Sequence, residues 1–324
     1  MKKNNLKKIA KNVIDLEIQA LKKLKNSINN SFNKTVSLIS NCQSKVIFCG
    51  VGKSFIIASK ISSTLSSVGS PSFAISASQC THGDLGSITK KDLLILISNS
   101  GETEELKPVI QYAKRNKIIL VGIVSKKNSV LYKSSDVKLY IPESKESGHG
   151  IVPTSSTTSQ LALGDALAIA SMNYKNFGKL DFKKFHPSGN LATKLKTVED
   201  LMISGNKVPF VAENSSMKNA LKILSKKNLG VLIVRNKVKK TIGIITDGDL
   251  KRAIEKNSDL NNLKLNKIMT KNPISIDQNE LAAKALNLMT SKKKITSLCV
   301  FKNNKKDRTI GIIHIHNILN ANIN

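Results

Sequence analysis

The sequence predicts an α/β protein: a doubly wound parallel sheet in a three-layer αβα arrangement, followed by a tandem pair of smaller modules. Two observations carry this. Between residues 45 and 142, five short apolar runs alternate with helical patterns. Near-continuous apolar strands separated by helices belong to a parallel sheet covered on both faces. Beyond residue 198 a different pattern occurs twice. Met202 and Met269 stand 67 positions apart, Thr241 and Thr309 68 apart, and TIGII recurs at the matching place. A fixed offset marks two copies of one supersecondary unit.

In chain order, residues 6–40 read as one or two amphipathic helices, with Ile9, Val13, Leu16 and Leu21 at helical spacing. KVIFCG (45–50) is the first strand and 54–68 a helix rich in small residues. SFAIS (72–76) and DLLILIS (92–98) are the second and third strands, with a helix starting near Thr103. IILVGIVS (118–125) and VKLYIP (137–142) complete the sheet, and a long small-residue helix covers 155–173. Pro187 and Gly189 interrupt any helix at HPSG. The expected boundaries are a helical segment over 1–40, the α/β domain over 41–185, a linker over 186–197, and repeat modules over 198–258 and 265–324.

Composition excludes several classes. No apolar run reaches the roughly 18 residues of a membrane span, and MKKNNLKKIAKN leads into an amphipathic helix rather than a signal core. Cys42, Cys49, Cys80 and Cys299 have neither paired nor metal-ligand spacing, so the cytoplasm is the expected compartment and no metal is expected. The net charge of +30 invites a nucleic-acid reading, yet only four of the 52 basic residues are arginines, aromatics are 4%, and the lysines are spread throughout. A nucleic-acid surface concentrates charge, uses Arg and interleaves aromatics. No nucleic-acid or membrane partner is expected.

VIFCGVGKS (46–54) resembles the end of a nucleotide-binding loop. A triphosphate loop needs glycine five residues before Gly52, where Ile47 stands; a dinucleotide fingerprint needs glycine at Phe55. Both templates fail. What survives is a strand, a tight turn at Gly52, and a helix start carrying Lys53 and Ser54, where amides and the dipole favour an anion. SNSGET (98–103) and PTSSTT (153–158) are two further hydroxyl-rich helix starts, supplying Ser98, Ser100, Thr103 and Ser155. Each alone is read as capping. Three in one parallel-sheet domain, where ligands bind outside the carboxyl ends of the strands, suit a phosphate ester. His82, Glu105, Glu146 and His186 are candidate acid–base groups close by. Local logic does not rank Glu102, Glu104 and Glu105.

Taken together, GVGKS, HGDLG, SNSGET, PTSSTT, GDALA and HPSG resemble the sugar isomerase (SIS) domain joined to a pair of cystathionine-β-synthase (CBS) modules, within the arabinose 5-phosphate isomerase subfamily. The resemblance covers nearly the whole chain. It implies aldose–ketose isomerisation of D-ribulose 5-phosphate and D-arabinose 5-phosphate without a cofactor, feeding 3-deoxy-D-manno-octulosonate (Kdo) and lipopolysaccharide synthesis. It implies Lys53, Glu105, Glu146 and His186 as the catalytic set and a homotetramer whose subunits complete one another's sites. Gly52, Ser54, His82, Ser98, Ser100, Thr103 and Ser155 match substrate- or phosphate-binding positions. Glu146 is the expected carbon base, Lys53 steadies oxyanion or phosphate, and His186 assists ring opening. Thr246 and Asp249 of TDGD match a nucleotide position in the first CBS module, with His314 and Asn317 at the second. That pair is expected to take a nucleotide or pathway-product effector or to be structural.

Gln79 and the stretch SGHGIV with His149 depart from the subfamily and bear on substrate preference. The alternatives are an isomerase of another sugar phosphate and a non-catalytic sugar-phosphate-sensing regulator. The regulator would carry a helix-turn-helix domain of ~75 residues, whereas about 40 precede the first strand here.

Overall fold

A computed structural model describes residues 4–186, 188–256, 263–291 and 295–323. The chain divides into two compact units, Met1–Phe185 and His186–Asn324.

The first unit opens with helices α1 (Asn4–Ser27) and α2 (Asn30–Ser40). Five strands follow, β1 (Val46–Gly50), β2 (Ser72–Ser76), β3 (Leu93–Ile97), β4 (Ile119–Val124) and β5 (Val137–Tyr140). Between and after them lie α3 (Lys53–Ser67), the short α4 (Ala77–Cys80), α5 (Leu106–Arg115), α6 (Val130–Ser134), α7 (Ser155–Tyr174) and α8 (Lys179–Phe185). Every strand pair is parallel, in the order β2-β1-β3-β4-β5. This is the expected doubly wound sheet.

Strand periodicity divides the core. Val46 and Phe48 of β1, with Leu93, Ile95 and Ile97 of β3, join the cluster beneath α1, α2, α3 and α7. Ile47, Cys49, Leu94 and Leu96 point the other way, toward α4, α5 and α6. Fully burying one such aliphatic chain stabilises the fold by about 1.5–3 kcal/mol, so both faces drive the sheet's assembly.

Helices α3 and α7 run side by side in the same direction. Lys60 pairs with Asp165, and a methyl group on Gly164 would overlap Ile61, so the small residue at 164 permits the close approach. At the far ends Lys175 Nζ donates to Gly69 O at 2.7 Å and to Ser70 Oγ at 3.0 Å.

The second unit holds α9 (Gly189–Lys194), α10 (Val198–Leu201), β6 (Ile203–Ser204), β7 (Phe210–Ala212), α11 (Met217–Lys227), β8 (Val231–Arg235), β9 (Thr241–Thr246) and α12 (Asp247–Lys256). The second copy supplies α13 (Leu265–Ile268), β10 (Thr270–Lys271), β11 (Ser275–Asp277), α14 (Ala282–Thr290), β12 (Ser297–Phe301), β13 (Gly311–His314) and α15 (Ile315–Asn320). Its two sheets are ordered β10-β9-β8-β7 and β11-β12-β13-β6. Each copy therefore lends its opening strand to the other's sheet, so the sequence repeat and the packed module differ by that exchanged segment. Between the copies, Thr241 and Thr309 meet hydroxyl to hydroxyl at 2.8 Å. The repeated TIGII segments thus meet at their first residues.

Candidate functional site

In the order 2-1-3-4-5 the chain leaves β1 toward one edge and β3 toward the other, on opposite faces. The crevice at such a switch point is where ligands bind. The loops after β1 and β3 therefore define the candidate site, and both carry motifs that the sequence pattern marks.

The β1 loop is tightly made. A Cβ on Gly50 would sit 3.0 Å from the Ser54 carbonyl carbon, and Gly52 has φ +57°, a backbone state that glycine adopts without strain. Ser54 N–H donates to Val51 O at 3.1 Å, and Phe55 and Ile56 N–H donate to Gly52 O at 3.1 and 3.2 Å. Those three amides close the turn on itself, and the Lys53 ammonium stands beside them at the start of α3. Lys53 is exposed and makes no ion pair or hydrogen bond with the described residues. Ser54 is half-buried on the same turn.

The β3 loop is a hydroxyl-built scaffold. Buried Ser98 Oγ accepts from Gly101 N–H at 3.0 Å and lies 2.9 Å from Thr103 Oγ1. Ser100 Oγ accepts from Glu102 N–H at 3.2 Å. Gly101, at φ +68°, faces Ser129 so closely that a Cβ would overlap its side chain. Helix α5 starts at Leu106, three residues later than expected, because 103–105 form a turn in which Leu106 N–H donates to Thr103 O.

The loop also ranks the three acids that the sequence leaves equal. Glu102 Oε1 accepts from Val130 N–H at 2.9 Å and caps α6. Glu104 pairs with Lys107 at 2.6 Å. Glu105 is exposed and has no partner among the described residues. Two supports escaped the sequence reading. Asn99 accepts from Ser125 Oγ at 2.7 Å and ties the loops after β3 and β4, while Ser129 caps α6. A serine before VLYKS is a capping signal that could have been read; nothing in SNSG marks Asn99.

Glu146 and Ser155 occupy the start of α7. Glu146 Oε2 accepts from Thr154 N–H at 2.8 Å and from Thr154 Oγ1 at 3.1 Å, and Oε1 accepts from Ser156 N–H at 3.2 Å. Burial raises its pKa, but the bonds from Ser156 and Thr154 outweigh that and hold the carboxyl below the usual range. Ser155 is fully buried, and its hydroxyl donates to Lys145 O at 2.9 Å. The parallel packing fixes the level of these groups. Lys53 precedes Ile61 by eight residues and Ser155 precedes Gly164 by nine. At about 1.5 Å per residue, the two helix starts lie at the same height on adjacent helices.

His82 lies exposed in the turn after α4. His186 opens the second unit, half-buried, and Pro187 lies outside the described residues. In the second unit, Thr246 and Asp249 form a capping box. Asp249 Oδ2 accepts from Thr246 N–H at 2.9 Å and from Thr246 Oγ1 at 2.7 Å, and Asp249 N–H donates back at 3.2 Å. Asp249 also pairs with Arg252 at 2.6 Å. Thr197 and Asp200 repeat the device at α10. At the matching position of the other copy His314 accepts from His316 N–H at 3.2 Å, and their rings stack at 5.0 Å. Burial, then His316, lowers His314's pKa.

Among the described residues no group of three His, Cys, Asp or Glu side chains gathers to hold a metal, and no helix is long and apolar enough to cross a membrane.

Residues 38–170 match the SIS domain model, and 198–256 and 265–324 match the CBS domain model. The chain is 38% identical over 315 residues to the arabinose 5-phosphate isomerase KdsD of Yersinia pestis, covering 97% of this chain and 95% of that protein. With the enzyme of the same name from Francisella tularensis the identity is 40% over 310 residues, 94% of this chain and 93% of the relative. Among solved structures, an Escherichia coli CFT073 protein in complex with arabinose 5-phosphate superposes with a TM-score of 0.56 at 37% identity, covering 58% of this chain and all of that one.

Proposed function

Because this chain belongs to the family of sugar-phosphate isomerases built from an SIS domain and two CBS domains, we propose that it interconverts D-ribulose 5-phosphate and D-arabinose 5-phosphate. The observation that carries the reading is the state of two groups. Lys53 and Glu105 project from the two loops at the switch point without partners among the described residues, whereas the neighbouring acids Glu102, Glu104 and Glu146 are engaged in the fold.

The reaction moves a proton between C1 and C2 through an enediolate, so it needs a base and a cation near the developing oxyanion. Lys53 supplies the cation. A carboxylate whose pKa is held down is a poor base, and Glu146 would have to give up bonds from Thr154 and Ser156 to act. That shifts the carbon-base role from Glu146 to Glu105 and leaves Glu146 fixing the α7 terminus beside the substrate. Hydroxyls such as Ser98 and Thr103 shape the loop, while Gly52, Ser54, Ser100 and His82 line its mouth. His186 assists ring opening. The aldose produced serves Kdo synthesis for lipopolysaccharide, in a cytoplasmic homotetramer whose CBS pair takes a nucleotide or a pathway product.

Incubating the pure protein with D-ribulose 5-phosphate in deuterated water, and identifying the aldose and its C2 label, tests the reading. D-Arabinose 5-phosphate carrying solvent deuterium is expected. Turnover of a different sugar phosphate only would transfer the reading to that ester, as the His149 loop allows; no turnover of any would sink it.

A further inference from the structure

Two buried thiols stand behind the site, and the isomerase chemistry uses neither. Cys49 is the penultimate residue of β1, four positions before Lys53, and is 0% exposed. Cys80 closes α4, two positions before His82, and is 1% exposed. Both belong to the core cluster on the α4–α5–α6 face of the sheet, where the two thiols interact with each other. The topology explains the meeting. Cys49 pairs in register with Ile75 of β2, and α4 follows β2 immediately, folding onto the face to which Cys49 points.

The burial of Cys80 is shallow in energetic terms. Across residues 77–91 only Ala77, Cys80 and Ile88 are buried; the rest are exposed or half-buried. The backbone bonds of this stretch are local turns, among them His82 N–H to Gln79 O, Gly83 N–H to Cys80 O, Gly86 N–H to Gly83 O, Ile88 N–H to Leu85 O and Asp92 N–H to Thr89 O. Tyr112 Oη reaches in to Ile88 O at 3.2 Å. A segment with few buried contacts and local bonds opens at a small fraction of the global unfolding free energy. Opening bares Cys80 while Cys49 stays in the strand.

We propose that Cys49 and Cys80 form a redox-sensitive pair, oxidised by a hydroperoxide to a disulfide that switches the isomerase site. In the first step the Cys80 sulfur attacks the peroxide O–O bond, giving the sulfenic acid and releasing the alcohol or water. In the second, the Cys49 sulfur attacks Cys80 sulfur, the S–S bond forms, and the sulfenic oxygen leaves as water. Two thiol hydrogens and two electrons pass to the peroxide in all. Cys80 is the attacking sulfur because opening of its segment bares it to the oxidant while Cys49 stays in the strand.

The consequence for the site is mechanical. An S–S bond of about 2.05 Å is far shorter than any non-bonded approach of two thiols, so the root of the Lys53 turn and the root of the His82 turn are drawn together. A Cβ on Gly50 would sit 3.0 Å from the Ser54 carbonyl carbon, so the end of β1 runs close beneath the start of α3 and passes a shift on to the Lys53 turn. Misplacing reactive groups by about 1 Å costs on the order of ten- to a hundredfold in rate.

The test exposes the full chain to hydrogen peroxide, blocks residual thiols, and maps cross-linked peptides by mass spectrometry. Isomerase activity is measured before oxidation, after it, and after dithiothreitol. The expected results are a peptide pair joining Cys49 to Cys80, a loss of activity on the order of tenfold or more, recovery on reduction, and no such loss in Cys80→Ala. Should that variant not fold, Cys49→Val in the strand serves the same purpose. Oxidation confined to Cys42, or equal peroxide sensitivity in the variant, overturns the pair. Peptide mapping needs no turnover, so failure of the isomerase reading and failure of the thiol pair are told apart.

Discussion

The first unit and the CBS pair both present polar motifs at helix starts, and they use them differently. Around the sheet of the first unit, hydroxyls and acids are engaged in closing loops, and two charged groups, Lys53 and Glu105, have no partner among the described residues. In the second unit the conspicuous pair, Thr246 and Asp249, is bound to itself and to Arg252. Buried polar groups are satisfied within a folded chain, while exposed charges are satisfied by water. A charged side chain left to solvent at a switch point is free to meet a ligand, whereas a motif whose members hold one another is already engaged. The contrast separates a site from a cap where residue types do not.

The sharpest way to break that contrast is at the two unengaged groups. Lys53→Met is expected to lower kcat on the order of 10²–10³-fold, the scale of losing one oxyanion-stabilising group. The thermal midpoint should stay unchanged, because the Lys53 ammonium bonds to none of the described residues. A drop in the midpoint as large as that of a core variant would make Lys53 structural. Gly101→Ala should do the reverse in kind. Its φ of +68° and the overlap with Ser129 predict a loss of about 2–4 kcal/mol in denaturant unfolding.

The two carboxylates divide next. Glu105→Gln is expected to abolish exchange of the C1/C2 proton with little change in stability. Glu146→Gln should retain exchange and lose about 1–2 kcal/mol of capping. The pH dependence has a definite sign. Glu146's folded pKa lies below its ordinary 4.5, so its contribution is present above that value and disappears as pH falls through the folded one. Stability measured as pH falls through the carboxylate range should therefore decline less steeply in Glu146→Gln than in the wild type. Exchange lost with Glu146 and kept without Glu105 would return the base role to Glu146.

Much of the first unit is legible in the sequence because its signals are local. Five apolar runs correspond to five parallel strands, and the residues at Ile47 and Phe55, where glycine is needed, remove the nucleotide templates outright. What stays hidden depends on partners distant in sequence. Glu102, Glu104 and Glu105 look alike until Val130 and Lys107 are placed against two of them. Glu146 reads as a free base until Thr154 and Ser156 turn back on it. The exchange of Ile203–Ser204 and Thr270–Lys271 between sheets is likewise invisible, since a two-residue strand carries no periodicity. The Cys49–Cys80 contact joins residues 31 apart with no spacing signature.

The smallest expected effect bears most directly on the second unit. Thr246 with Asp249 and Thr197 with Asp200 are the same capping box on two helices, and only the first stands at a position matched to a nucleotide site. If both are caps alone, Thr246→Ala and Thr197→Ala should each cost about 1 kcal/mol and leave any rise of the thermal midpoint with added AMP or ATP as in the wild type. If Thr246 also contacts a nucleotide, its variant alone loses that ligand-dependent rise, since a ligand stabilises only the state that binds it. Asp249's lowered pKa has burial as its largest, opposing influence and the Thr246 bonds as the first that lower it. Removing the Thr246 hydroxyl should therefore bring the folded pKa back toward the ordinary value and flatten the loss of stability in acid. That flattening reports the cap whether or not a nucleotide binds, so the cap and the ligand site are read from separate measurements on one variant.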